Sequence, residues 1–390
     1  MKLYHLGKVV LLAGLVIVCF QLHLHGQGSS LVGCNQTSIL AGVAKANANG
    51  GGTITFNCQN TTILMSKGLG VLQNFVVIDG QTKNITLQFT TNFTGCSPGN
   101  NGVAGAGPIA KLQGQSNKIR NLTFRNFLES LQIAGPNNVV ENNRFFGHTC
   151  SDDAVSAIAL SALNIMVRGN LFRNYKDKAF QFSYGGGRVE GNTFTDTLAP
   201  FRAPYDNAAG GRIYIRGNVF NTSGNRANCS GPFMDGRARI NFESNRLECL
   251  RGLRVGGQTE IVVRNNYILG NPRAGVEIRD HVVAYLSGNV ITGNGLSPGS
   301  APAGGVVISG AGRADLGGGS MVIFGQRRVS PGNNRIQKNG ILDVRNLTGQ
   351  LVYARNNCWD HANAPDALAS DTEGPIALNP VANTCPTVTP

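Results

Sequence analysis

Apolar and polar residues alternate in short bursts along this chain, and between residues 139 and 268 one burst recurs: two or three apolar residues, a charged residue, a spacer, an asparagine, then an apolar pair. It stands as VVENNRFF, IMVRGNLF, RVEGNTF, IYIRGNVF, INFESNRL and IVVRNNYI. The asparagines Asn143, Asn170, Asn192, Asn218, Asn245 and Asn266 are 27, 22, 26, 27 and 21 residues apart. Such short alternating runs argue strands, and a period in the low twenties without a helical pattern predicts a parallel β-helix with one coil per repeat. Two residues before each asparagine the charge alternates: Glu141, Arg168, Glu190, Arg216, Glu243, Arg264. Coils stack about 4.8 Å apart, so such a column can pair opposite charges up the stack. The asparagines themselves are expected to bond to one another and to turn backbone, a structural role.

Outside the regular ladder, Thr37–Ala48 has the pattern of a short amphipathic helix, placed to cover the open apolar end of the first coil. Early coils follow through ILMSKGLGVL, FVVIDG and NITLQF, and residues 91–107 are expected to form a loop. Residues 297–320 are rich in Gly, Pro and Ser and are expected to be an insertion; NNRIQKN and YARNNCW resume the coils at Asn334 and Asn357. The expected organisation is a signal peptide or uncleaved anchor over 1–28, a right-handed parallel β-helix with an N-terminal cap over 29–360, and a tail over 361–390.

Composition sharpens the setting. Lys2 and Lys8 precede an apolar run from Val9 to Leu22, too short for a confident membrane span. Removing that segment takes away Cys19 and leaves eight of the nine cysteines, an even number that suits disulfides in an exported chain. Spacing suggests Cys34 with Cys58, Cys229 with Cys249 and Cys358 with Cys385, leaving Cys96 and Cys150; connectivity itself is not readable from sequence. The formal charge is +13, which draws polyanions to the surface. Aromatic and basic residues are not interleaved as in single-strand nucleic-acid binders, so an acidic polysaccharide is the better partner for an exported protein. The chain is expected to be a secreted, periplasmic or cell-surface monomer with no nucleic-acid partner.

Counting from the ladder places candidate chemistry. Asp152 and Asp153 lie nine and ten residues after Asn143, Lys178 eight after Asn170, and Arg202 ten after Asn192. Consecutive coils should therefore project two carboxylates, an amine and a guanidinium from one face in a rising line. CSDDAVS, YKDKAFQFSYGGGRV and FRAPYD resemble the active-site strands of calcium-dependent pectate lyases of polysaccharide lyase families one and three, over roughly the third of the chain from Asn117 to Asn245. The flanks resemble secreted bacterial β-helix repeat proteins.

Carried onto these positions, the resemblance implies that Asp152 and Asp153 hold Ca²⁺, with Glu141 and Glu129 as further ligands. Lys178 would neutralise a substrate carboxylate and Arg202 would remove the proton. Glu141 also belongs to the charge column, and a structural role is an equal reading of it. The implied reaction is β-elimination on polygalacturonate or another uronate polymer, in which cations stabilise the enolate-like charge as it forms. Arginine holds its proton well above neutral pH, so the optimum should be alkaline. Two other classes stay open. A polygalacturonase-type hydrolase would share the fold, but it needs correctly spaced carboxyl groups. A non-catalytic adhesin or carbohydrate-binding scaffold needs no site at all.

Overall fold

The computed structural model describes residues 28–90, 108–127, 129–147, 154–159, 161–175, 178–203, 211–225, 229–297, 303–361, 367, 370–382 and 385. The expected signal segment and the 91–107 loop lie outside them. Among the described residues three parallel sheets of 14, 11 and 12 strands run the length of the molecule, and from Gly52 to Ala354 the chain visits them in rotation. We call them the first sheet (beginning Ser29–Val32, Gly52–Phe56), the second (Thr62–Met65, Ile85–Phe89) and the third (Gly70–Leu72, Ala110–Leu112). The protein is thus a parallel β-helix of roughly twelve coils. Among the described residues no helix is long and apolar enough to cross a membrane.

The repeated phrase makes one corner of each coil. Its charged residue ends a strand of the first sheet, its spacer turns the chain, and the apolar pair opens a strand of the second. That turn needs a left-handed backbone. The spacers Asn142, Gly169, Gly191, Gly217, Ser244 and Asn265 have φ of 56, 63, 61, 63, 54 and 55°, a region open mainly to Gly and Asn. The next residue, the ladder asparagine, turns inward. From Asn170 on, each one's Oδ1 accepts the backbone N–H of the asparagine one coil earlier, as in Asn143 N to Asn170 Oδ1, Asn192 N to Asn218 Oδ1 and Asn245 N to Asn266 Oδ1, all 2.9 Å. Each Nδ2 donates to a carbonyl of the preceding coil, Val140 for Asn170 and Val189 for Asn218, both 2.9 Å. The ladder continues beyond the regular repeats through Asn289, Asn334 and Asn357.

Inside the coils, like residues stack at the strand spacing. Phe124, Phe145, Phe172, Phe194 and Phe220 of the second sheet form a column with ring centroids 4.8–5.0 Å apart, and all are essentially buried. On the first sheet the register aligns Asp79, Arg120, Glu141, Arg168, Glu190, Arg216, Glu243 and Arg264 in one outer column. Pairs close at both ends: Arg120 to Asp79 at 2.9 Å, Arg168 to Glu141 at 2.6 Å and Arg264 to Glu243 at 2.8 Å.

The expected helix spans Gln36–Ala48, with Asn35 as N-cap accepting from the Ser38 N–H at 2.9 Å. Its buried face carries Ile39, Gly42, Val43 and Ala46. A Cβ at Gly42 would stand 2.7 Å from Val32 Cγ1, so glycine lets the helix close on the first coil. Cys34–Cys58, Cys229–Cys249 and Cys358–Cys385 are disulfides with Cα atoms 6.1, 5.0 and 5.5 Å apart, as spacing suggested. Three disulfides suit an oxidising, extracytoplasmic compartment. Cys96 and Cys150 lie outside the described residues.

One expectation is corrected. Residues 303–317 are not an insertion: Val306–Ile308 and Arg313–Gly317 are strands of the third and first sheets, the latter with a register shift between Asp315 and Gly317. Glycine around them marks turns and close coil packing rather than a loop. The actual protrusion follows at once, an antiparallel hairpin of Ser320–Ile323 and Gln326–Val329. Within 361–390, Thr372–Glu373 and Ile376–Ala377 add short strands to the third and first sheets.

Asn218 sits mid-ladder, wholly buried. Asn218→Ala strands donors and acceptors on both neighbouring coils, each costing about 1–3 kcal/mol. Urea denaturation should show a loss of at least about 2 kcal/mol; an unchanged midpoint would deny the ladder its structural role.

Candidate functional site

Side chains pointing outward from the third sheet form one continuous row. Register aligns Gln132, Ser156, Gln181, Arg202, Phe233, Arg254 and Glu277 on successive strands. Their flanking residues Phe180, Phe182, Phe201, Leu253 and Val255 are buried in the core, so alternation fixes the row's direction. Six steps make a strip roughly 29 Å long.

Arg202 lies in this row, half-buried, on the strand Ala199–Ala203. Lys178 is half-buried on the adjacent strand, Lys178–Phe182, where it aligns with Ala199. The register partner of Arg202 is Gln181. The two cations therefore lie on neighbouring strands of one sheet, three positions apart along the strand, about 10 Å, an odd offset that alternation does not place on one face. Glu129 borders the same row, its carboxylate accepting from Gln132 Nε2 at 2.7 Å and Ser156 Oγ at 2.9 Å. Glu141 stands elsewhere, on the first sheet, where Lys118, Arg120 and Arg168 surround its carboxylate at 3.3, 3.6 and 2.6 Å. Asp152 and Asp153 lie outside the described residues.

Further along the row is a cluster that ladder counting missed. Arg254 and Arg279 place their guanidinium carbons 4.5 and 5.1 Å from the Phe233 ring centroid. Both Nε atoms are buried without a hydrogen-bond partner among the described residues. Arg279 approaches Glu277 at 3.9 Å and Asp280 at 3.8 Å. Gly256 makes room for the heads: a Cβ there would lie 2.9 Å from Asp280 Oδ2, 3.1 Å from Arg279 Nε and 3.2 Å from Asp235 Oδ1. Burial pushes the Arg254 pKa down; Glu277 and Asp235 push it back up, while Arg279 depresses it further. This mix of guanidiniums, carboxylates and one ring face can grip oxyanions and exchange protons with a bound chain. The only sequence signal for it was the row itself, and its offset from the ladder varies. Ser156, Gln181, Arg202, Phe233, Arg254 and Glu277 follow their ladder asparagines by 13, 11, 10, 15, 9 and 11 residues.

Among the described residues, the carboxylates that can share a metal ion are Asp343, Asp360 and Asp371, one oxygen of each within 4.8 Å of the others. That spread fits oxygens around one Ca²⁺, which are bound at about 2.3–2.6 Å. Asp343 Oδ1 accepts from Asn339 Nδ2 at 2.7 Å, while its Oδ2 is buried without a partner among the described residues. Burial pushes Asp343 up to about 7; the Asn339 hydrogen bonds oppose that shift, and the Asp360 and Asp371 charges add to it. His361 Nδ1 lies 2.9 Å from Asp371 Oδ1. These residues join the last coils, far along the stack from Arg202.

No family model matches the sequence, and no curated protein matches it. Among solved structures, the Dettilon tailspike protein gp208 shares the fold at 11% identity and a TM-score of 0.54, with 88% of this chain and 64% of that one covered. The A-module of mannuronan C-5 epimerase AlgE4 from Azotobacter vinelandii aligns over 90% of this chain and 95% of its own, at 12% identity and a TM-score of 0.47. Tailspike protein gp49 of Acinetobacter baumannii bacteriophage Fri1, a capsular polysaccharide depolymerase, aligns over 94% and 63%, at 10% and 0.39. At these identities the likeness is one of winding alone.

The surroundings of Glu141 predict its behaviour. Burial would raise its pKa, but the Arg168 hydrogen bond and the Lys118 charge outweigh that and hold it below 4.5. The folded carboxyl loses its proton more readily than the unfolded one. Its stabilisation is present above about pH 4.5 and is lost as pH falls through the folded value. Arg168 is half exposed, so Glu141→Gln should cost about 1–2 kcal/mol at pH 7 and flatten the acid limb of stability against pH. Equal curves for both proteins from pH 3 to 7 would contradict this.

Proposed function

We propose that this protein binds an acidic polysaccharide along the outer row of the third sheet and cleaves it by β-elimination. The observation that carries the reading is the row itself: Arg202 followed by Phe233 and Arg254 along one face, with Arg279 over the same ring and Lys178 on the strand beside Arg202. A uronate polymer has a carboxylate on every sugar, so a linear file of cations beside an aromatic face suits it. Lys178 neutralises the carboxylate next to the acidic proton and Arg202 takes that proton, the roles implied by the pectate-lyase resemblance. Arg254 and Arg279 hold a carboxylate further along the chain.

Calcium belongs to this reading in two separable places. Asp152 and Asp153, with Glu129 beside the row, are the ligands the resemblance implies, and there the ion would supply positive charge to the substrate carboxylate. Glu141, on another sheet, serves the charge column instead. An ion at Asp343, Asp360 and Asp371 would tie the last coils together.

Polygalacturonate incubated with Ca²⁺ at alkaline pH should yield unsaturated product absorbing in the ultraviolet. Arg202→Ala and Lys178→Ala should each lose at least about 100-fold in rate while keeping the wild-type circular dichroism. New reducing ends without that absorbance would mean a hydrolase, and neither signal with any uronate polymer would leave a binding scaffold. Separately, Ca²⁺ should raise the thermal midpoint of the wild type and not of Asp343→Asn, while the calcium requirement of cleavage persists in that variant. A midpoint that ignores Ca²⁺ would remove the ion from the C-terminal coils.

A further inference from the structure

The hairpin over 320–329 does more than protrude. Ile323 and Phe324 pack on Val262 of the first sheet, the Phe324 N–H donates to Glu260 Oε2 at 3.1 Å, and Tyr285 Oη donates to the Val329 carbonyl at 3.2 Å. It thereby leans back across the outer face of the first sheet and walls a cavity of about 330 Å³, at the lower end of the roughly 300–1,000 Å³ typical of small-ligand sites.

Two outward columns make the floor. One runs Arg188, Tyr214, Asn241, Val262 and the other Glu190, Arg216, Glu243, Arg264. Arg212 and Arg328 complete the wall, their guanidinium carbons 4.5 and 5.8 Å from the Phe324 ring centroid. Five arginines thus face two glutamates. Glu243 is matched with Arg264 at 2.8 Å and Glu190 with Arg188 at 3.8 Å. Among the described residues, Arg212, Arg216 and Arg328 have no carboxylate within ion-pair distance. Asn241 adds an independent sign of a missing ligand: it is 7% exposed, and its Nδ2 is buried with no acceptor among the described residues. A buried amide donor left unmatched is costly, and an oxygen-rich guest would satisfy it.

We propose that this cavity is a binding site for a carboxylated monosaccharide unit, a uronic acid standing free or at a chain end. Planar guanidiniums bind a carboxylate in bidentate fashion. The Asn241 amide donates to a ring or hydroxyl oxygen, and the exposed Tyr214 offers its ring to the sugar's C–H face. The site lies on a different sheet from the Arg202 row and does not depend on cleavage there.

Titration of the full chain with D-galacturonate, D-glucuronate, D-galactose and inorganic sulfate, followed by calorimetry and saturation-transfer NMR, tests it. Both uronates should bind and galactose should not. Arg216→Ala and Asn241→Leu should each weaken uronate binding at least tenfold, and Arg144→Ala, which removes an exposed arginine of the second sheet, should bind as the wild type does. Arg328→Ala, on the hairpin and outside the asparagine ladder, gives the same reading should the floor variants fold poorly. Absence of uronate binding, binding of sulfate alone, or uronate affinity unchanged in Arg216→Ala and Arg328→Ala would each overturn the proposal. Loss of uronate binding in Arg202→Ala alone would move the site to the third sheet and overturn it equally.

Discussion

A buried side-chain amide that cannot be satisfied within its own coil governs this molecule. Each ladder asparagine has an acceptor that serves the N–H of the coil before it and donors that need a carbonyl and an amide oxygen on the neighbouring coils. No coil is complete until its neighbours are in place and in register. The left-handed spacer ahead of each asparagine aims the amide inward, so a one-residue slip would expose the amide and bury a charge. The demand is local, but its repetition fixes the whole stack.

Register then converts sequence columns into spatial columns. Phenylalanines 22 to 27 residues apart become stacked rings, and acids and arginines at the same offset become an external column of alternating charge. The outer row of the third sheet arises the same way, and so does the floor of the arginine-lined cavity. Neither face required a special local conformation; each is what a column shows once its period is locked. Evolution of such a surface can change one side chain per coil with the scaffold held by the ladder.

Precision decays with distance from the ladder corner. Between a ladder asparagine and the third sheet the chain passes a corner of variable length, and the row appears anywhere from nine to fifteen residues on. For that reason Lys178, at eight, falls three positions from the level of Arg202, while Arg254 and Glu277 went unnoticed although they lie in the same row. Glu141 was legible twice over, as a column member and as a ligand implied by resemblance, and its three cationic neighbours assign it to the column. The hairpin was hidden because glycine at 317–319 looks like loop in a string of letters, whereas Gly317 closes a strand and the residues after it turn outward.

By itself the sequence determined the winding, the helix that seals the first coil, and the asparagine and charge columns, and its spacings suggested three disulfide pairs, because each depends on residues near one repeated corner or on short separations along the chain. Only the tertiary structure decided which outward residues share a row, that Arg254 and Arg279 meet over Phe233, that three aspartates from the last coils converge, and that the hairpin folds back over the first sheet to wall in Asn241. Those contacts depend on loop length and on the direction in which a protrusion leans, quantities set by packing among coils and carried by no periodic signal.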